Sequence, residues 1–238
     1  MAGHNKWSKV KHIKAVQDSK KAAVFTKMAN VITMAARNGG GDPETNFELR
    51  MAIDRAKSVN MPKDNIERAI KKGTGELSGG NLEELYYEGM GPANSQFIVK
   101  SVTDNRNRSA ANVKHLFNKY GGNFASVMWN FKQKGVIIAR HEELPGDGLE
   151  ELELDLIDAG AQDIRSEQEG WTIYTKPTEL KQVSNVLENR GIKMESAELE
   201  YTPQDTQQLS EEDQEKVDRF ISELEDCEDV ADYYTNLT

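Results

Sequence analysis

The sequence predicts an α+β protein with an N-terminal three-helix domain followed by two ferredoxin-like-type α/β domains, one inserted into the other. Three observations support this. Apolar residues recur with a helical period up to about residue 73 and with strand-like patterning after it. A glycine-rich stretch separates the two patterns. The strand-rich part contains a complete β-α-β-β-α-β order within an outer β-β-α-β and α-β order.

The first domain is predicted to contain helices at residues 17–37, 46–59 and 62–73. In the first helix, Met28 and Ile32 lie on one face, and three successive glycines end it. Pro62 stands at the first turn of the third helix, where its missing N–H is tolerated. Residues 73–80 form a linker, so we expect the N-terminal helical basic domain to span residues 1–76.

The next segment predicts strands at residues 84–88 and 96–103, a helix at 108–120 and a strand at 126–131. These elements give a β-β-α-β order. Asn107 or Ser109 is expected to cap the helix, because short polar side chains accept hydrogen bonds from its first N–H groups.

The third segment predicts strands at residues 136–139, 162–165, 171–175 and 195–201, with helices at 148–159 and 179–189. A helix at 210–224 and a strand at 230–234 would then complete the preceding domain. We therefore expect a discontinuous α+β domain of residues 81–132 plus 204–238, with a ferredoxin-like domain inserted at 133–203. Two side-by-side domains with an independent acidic tail are the alternative.

Charge is distributed unevenly along the chain. Residues 1–75 carry 15 Lys and Arg against 7 Asp and Glu, whereas the remainder carries 15 against 33. A basic end on an acidic body points to a polyanionic partner. No apolar run is long enough for a membrane span, the N-terminus does not resemble a secretory signal, and we expect a cytoplasmic protein without a membrane partner.

Catalytic and metal-binding patterns are weak, so we expect neither an enzyme nor a metal or cofactor site, and no small-molecule substrate. The histidines His4, His12, His115 and His141 show no metal-ligand spacing. The single cysteine excludes an internal disulfide. Gly89 and Gly91 begin a dinucleotide-like pattern but lack its third glycine.

The basic N-terminal segment is the candidate nucleic-acid site. Clustered lysines can neutralise phosphates without precise geometry, and an indole can stack on a base. The alternative is a solvated lysine-rich tail whose Trp7 packs on the helices. The candidate residues are Lys6, Trp7, Lys9, Lys11, His12, Lys14, Lys20, Lys21 and Lys27.

Several motifs carry a family resemblance: GHNKW (3–7), DSKKAAVFTK (18–27), AARNGGGDPETN (35–46), NMPKDNIERAIKKGTG (60–75), YEGMGP (87–92) and TDNRNRSAANVKHLFNKYGGN (103–123). They resemble the YebC/PmpR family, and the resemblance covers essentially the whole chain. That family includes bacterial proteins described as transcriptional regulators and the mitochondrial translational activator of cytochrome oxidase. The resemblance implies a helical domain plus two α/β domains, one inserted in the other, without enzymatic activity or cofactor.

The sequence departs from the family pattern at several positions. Asn5 replaces the usual Ser, Ala23 a commonly basic residue, and Phe47 and Glu48 the usual Pro and an often basic residue. The loop expected after Asn123 is shortened. The loss of basic residues implies weaker nucleic-acid binding than in a typical member.

Three functions remain open at this point. The first is a non-enzymatic transcriptional regulator that binds DNA through the basic N-terminal domain. The second is a translation factor that binds ribosomal RNA on the ribosome and assists synthesis of difficult sequences. The acidic body favours irregular RNA over a long duplex, because it would be repelled by extended DNA. The third is a protein-interaction adaptor that uses its sheets.

Overall fold

The computed structural model describes residues 21–78 and 80–238. Its first part is helical, with α1 at Lys21–Gly39, α2 at Phe47–Ser58 and α3 at Lys63–Gly73. Met28, Ile32, Leu49, Ile53 and Ile66 meet in one buried cluster. The three predicted helices are therefore confirmed over the described residues.

Asn46 fixes the connection between α1 and α2. Its Oδ1 accepts the N–H of Leu49 at 3.1 Å and so caps α2. Its Nδ2 donates to the carbonyl oxygens of Ala35 and Gly40, each at 2.8 Å. One buried side chain thus caps the start of one helix and satisfies carbonyls at the end of another.

The first sheet consists of β1 (Glu83–Met90), β2 (Gln96–Thr103), β3 (Asn123–Phe124) and β8 (Val230–Thr235). Its strand order is β3-β1-β2-β8, and all neighbouring strands are antiparallel. Helices α4 (Arg106–Lys119) and α7 (Glu211–Asp226) cover one face. The rings of Phe97 and Phe117 each lie 5.0 Å from that of Phe220, edge to face, within the core below these helices.

The second sheet consists of β4 (Phe131–Arg140), β5 (Ala161–Ser166), β6 (Gly170–Thr175) and β7 (Met194–Pro203). Its strand order is β5-β6-β4-β7, and it is also antiparallel. Helices α5 (Leu149–Asp158) and α6 (Leu180–Asn189) pack on it through Leu152, Leu156, Val183 and Leu187. This is the ferredoxin-like β-α-β-β-α-β arrangement.

The two sheets are interleaved in sequence, because all four strands of the second lie between β3 and β8 of the first. The α+β class with an N-terminal helical region is confirmed. The helical region contacts both sheets. Met51 of α2 joins the core of the second sheet, and Met34 of α1 packs against Val102 of the first.

One predicted strand is wrong. Residues 126–131 do not form a strand before Phe131, and Met128–Asn130 is a short 3-10 turn. The second neighbour of β1, on the side away from β2, is β3. The reason is a long-range contact. The Glu88 carboxylate accepts the N–H groups of Val127 and Met128 at 2.8 and 2.7 Å and curls this segment away from the sheet.

The predicted cap of α4 is also wrong. Asn105 caps the helix by accepting the N–H of Arg108 at 3.0 Å, and the helix begins at Arg106. Ser109 is buried inside the first turn, where its hydroxyl lies 2.8 Å from that of Ser101. Its role is therefore to join α4 to β2.

Candidate nucleic-acid interface

Most of the residues predicted to bind nucleic acid lie outside the described part of the chain. These are Lys6, Trp7, Lys9, Lys11, His12, Lys14 and Lys20. The structure describes Lys21 and Lys27, both on α1. Lys21 is exposed at the start of the described helix.

Lys27 does not face solvent. Its side chain is only 8% exposed, and its Nζ donates to the carbonyl oxygen of Glu225 in the last turn of α7. Burial lowers the pKa of Lys27 from 10.5 to about 8, although the nearby Cys227 and Glu225 act in the opposite direction. Lys27 thus docks α1 on the C-terminal end of α7, where a cation is favoured. In this arrangement a phosphate cannot reach it.

The arginines of α2 also face inward. Arg55 lies 3.3 Å from Glu198 on β7 and 3.9 Å from Asp232 on β8, so it contacts both sheets. Arg50 lies 2.9 Å from Glu188 on α6. Part of the positive charge of the N-terminal domain is therefore neutralised by the acidic body itself, which the charge count alone could not reveal.

A second set of cations faces outward on α3. Arg68, Lys71 and Lys72 are exposed, at the i, i+3 and i+4 positions that share one side of a helix. Ile66 and Ala69 occupy the opposite, buried side. Within residues 21–78 and 80–238, no carboxylate forms an ion pair with any of the three. We define Arg68, Lys71 and Lys72 as the α3 basic face.

Close packing against α1 fixes the orientation of α3. The hydroxyl of Thr33 donates to the carbonyl oxygen of Ala69 at 3.0 Å. At Gly73, an added Cβ would lie 2.4 Å from the carbonyl oxygen of Thr33 and 2.7 Å from the Cβ of Ala36. Because glycine permits this approach, the two helices cannot rotate freely, and the α3 basic face is held towards solvent.

The sequence contained the signal for the α3 basic face, since the spacing in NIERAIKKG separates apolar from basic residues. Lys71 and Lys72 are nevertheless not among the nucleic-acid-binding residues predicted from the sequence. Near the start of α3, Lys63 and Glu67 form an exposed pair at 3.5 Å. The net positive charge is therefore concentrated in the second half of the helix.

Among the described residues, no group of three or more His, Cys, Asp or Glu is placed to hold a metal ion. His141 lies on the surface with its Nε2 2.7 Å from the carbonyl oxygen of Glu167. No helix within the described ranges is both long enough and apolar enough to cross a membrane.

Comparisons with known proteins cover the whole architecture. A family model of the TACO1/YebC second and third domain matches residues 82–237, and one of the TACO1/YebC protein N-terminal domain matches residues 5–76. A protein of Thermoanaerobacter pseudethanolicus named "Probable transcriptional regulatory protein" is 45% identical over 240 residues, covering 100% of this chain and 97% of that protein.

A Thermotoga petrophila protein of the same name is 47% identical over 242 residues, covering 99% of this chain and 93% of that protein. The crystal structure of a conserved hypothetical protein from Aquifex aeolicus superposes with a TM-score of 0.81 at 40% identity. The superposition covers 93% of this chain and 91% of that one. Family models that match both the helical domain and the two-sheet body, with full-length relatives above 40% identity, lead to one assignment: the chain belongs to the TACO1/YebC family.

Proposed function

We propose that this protein is a non-enzymatic regulator of gene expression that binds nucleic acid through its N-terminal domain, residues 1–76. The observation that carries the proposal is the α3 basic face, a cationic surface of three exposed side chains on a protein with a formal net charge of -10. The names of the full-length relatives support a regulatory role. The interleaved sheets support the division of the body into residues 81–132 plus 204–238 and an inserted domain of residues 133–203.

We expect the lysines of residues 6–21 to add to the binding by the α3 basic face. Each phosphate that a lysine or arginine neutralises releases condensed counterions, so binding weakens as salt rises. The logarithmic slope is about 0.9 per phosphate on duplex DNA and about 0.7 on single strands. The three side chains of the α3 basic face alone would contribute a slope of about 2 to 3.

A second candidate is a translation factor that binds ribosomal RNA. Its specific support is the charge of the body, because residues 76–238 carry 15 basic against 33 acidic residues. Duplex DNA extending beyond the N-terminal domain would pass close to this negative surface and be repelled. A folded RNA can present phosphates to the helical domain and leave the body facing away.

The direct test changes Arg68, Lys71 and Lys72 together to Gln and measures the salt dependence of binding to a DNA duplex and to a structured RNA. A reduced slope with both the fold and the melting temperature retained is expected. The matched control changes the exposed Lys114, Lys181 and Lys193 of the body to Gln, with the same loss of charge. Equal slopes for the two triple variants would refute the α3 basic face as part of the binding surface.

Crosslinking followed by sequencing of the bound nucleic acid from cells separates the two candidates. Promoter DNA would identify a transcriptional regulator, and ribosomal RNA a ribosome-associated translation factor. A second variant with Lys9, Lys11, Lys20 and Lys21 changed to Gln measures the contribution of the preceding segment. Recovery of neither nucleic acid would refute the proposal and leave the protein-interaction adaptor as the better account.

A further inference from the structure

Helix α5 presents an unpartnered apolar side to solvent. Leu152 and Leu156 are fully buried against the second sheet, as expected of a helix that packs by one stripe. Leu154 and Ile157 point the other way and are 63% and 50% exposed. They are separated by three positions, so their side chains are neighbours on one outward ridge.

Apart from Leu149, the remaining residues of α5 are all acidic. Of its ten residues, five are Leu or Ile and five are Glu or Asp. Arg190, the residue after α6, pairs with Glu151 and Asp155. The other three acids, Glu150, Glu153 and Asp158, are exposed, and no Lys or Arg among the described residues forms an ion pair with them. We define Leu154, Ile157, Glu150, Glu153 and Asp158 as the α5 outer face.

We propose that the α5 outer face is the docking surface for a Lys/Arg-rich amphipathic helix of a partner protein. Charge complementarity selects this occupant: two aliphatic side chains lie among three unpaired carboxylates, without a competing cation on the helix. A partner helix with leucines at i and i+3 or i+4 would cover Leu154 and Ile157, while its flanking lysines meet the carboxylates. An acidic or purely apolar segment would leave these carboxylates desolvated and unpaired.

This inference is independent of nucleic-acid binding, because the α5 outer face and the α3 basic face belong to different domains and have opposite charge. A regulator with both surfaces could contact nucleic acid through one domain and a basic protein through another. An experiment can therefore refute binding at one of these surfaces without bearing on the other.

Two synthetic peptides serve as probes. One is an 18-residue Leu/Lys helix with leucines confined to one face, and the other has the same composition without an apolar face. Titration into the ¹⁵N-labelled full chain is expected to shift amide resonances of residues 149–158 with the first peptide only. Helix α7 is an internal control, since it is acidic but has no large apolar side chain among the exposed ones.

Two multiple-substitution variants separate the apolar from the charged contribution to peptide binding. Leu154→Ser with Ile157→Ser is expected to weaken binding about tenfold or more at any salt concentration, because the apolar anchors are lost. Glu150→Gln with Glu153→Gln and Asp158→Asn should weaken binding at low salt only. All five positions are exposed, so both variants are expected to retain the fold, which circular dichroism would check.

Three outcomes would overturn the proposal. Equal shifts with both peptides, or equal shifts on α7, would mean binding by charge alone. If neither peptide binds, the α5 outer face is not a docking surface for a basic helix. A change in sedimentation of the Ser variant without peptide would mean that a second copy of this chain covers the α5 outer face instead.

Discussion

Replacing Lys27 with Met is expected to stabilise the protein at neutral pH and to remove part of its pH dependence. The ordinary pKa of 10.5 falls to about 8 because the ammonium is buried between α1 and α7. At 1.36 kcal/mol per pH unit, the buried charge costs about 3 kcal/mol relative to solvent. Met fills the same volume without charge and loses one hydrogen bond to Glu225, worth about 1 kcal/mol. The net gain at pH 7.5 is about 2 kcal/mol.

The sign of the pH dependence follows from proton linkage. The unfolded chain keeps the Lys27 proton up to about pH 10.5, whereas the folded chain releases it near pH 8. Between these values the unfolded state binds more protons, so the free energy of unfolding rises with pH. The wild-type protein should gain about 2 kcal/mol from this group between pH 7.5 and pH 10, and the Lys27→Met variant should lack this gain.

Urea denaturation followed by circular dichroism at several pH values from 7.5 to 10 measures the difference. The groups around Lys27 are Glu225, Asp226, Arg55 and Cys227. Burial raises the pKa of the Cys227 thiol above its ordinary 9.0, so all proteins carry Cys227→Ser to remove any contribution of this thiol at high pH. Lys57→Met is the control, since Lys57 is 64% exposed and its curve should parallel that of the wild type. Parallel curves for Lys27→Met and wild type would refute the reasoning.

Three further substitutions test the contacts that hold the domains and helices together. Asp229→Asn should lower the free energy of unfolding by about 3 kcal/mol at pH 7. Burial raises the pKa of the Asp229 carboxyl, but hydrogen bonds from Arg108 and its neighbours outweigh burial and keep this pKa below 3.8. The difference in unfolding free energy between variant and wild type should therefore shrink as acid protonates the wild-type carboxyl, and urea titrations at pH 3 and 7 would show this. Arg55→Met should cost about 3 kcal/mol by urea denaturation, because two partly buried carboxylates lose their cation, and an unchanged midpoint would contradict that role. Gly73→Ala should cost about 2 kcal/mol and lower the melting temperature by several degrees, since its Cβ would meet the carbonyl oxygen of Thr33; a neutral effect would mean that α3 can shift away.

The elements with a strong local period were predictable from sequence. The boundaries of β2 agree at both ends, and α2 and α5 agree within one residue, because apolar spacing and caps are local properties. The short turn at Met128–Asn130 was not predictable, since Glu88 imposes it from a neighbouring strand. Local patterns carry no information about such a contact.

In the candidate site, too, features set by local spacing were predictable and features set by long-range contacts were not. The α3 basic face could be found from spacing alone, because the helix was predicted and its basic residues fall on one side. The burial of Lys27 could not be found, since its partner Glu225 is 198 residues away and nothing in the neighbourhood of Lys27 distinguishes it from exposed lysines. Long-range packing decides whether a lysine docks a domain or faces a ligand.

The interleaving of the two sheets has a consequence for synthesis of the chain. β2 pairs with β8, which lies far along the chain. Beside this pair of strands, the N–H of Gln96 donates to the side chain of Asn236, 140 residues away in sequence. During translation all strands of the second sheet are synthesised before β8, so that sheet can fold first. Until β8 has been made, β2 has one edge without a paired strand. An open edge strand is a template for pairing with other chains, so a nascent chain stalled before β8 is at greater risk of aggregation than the finished protein.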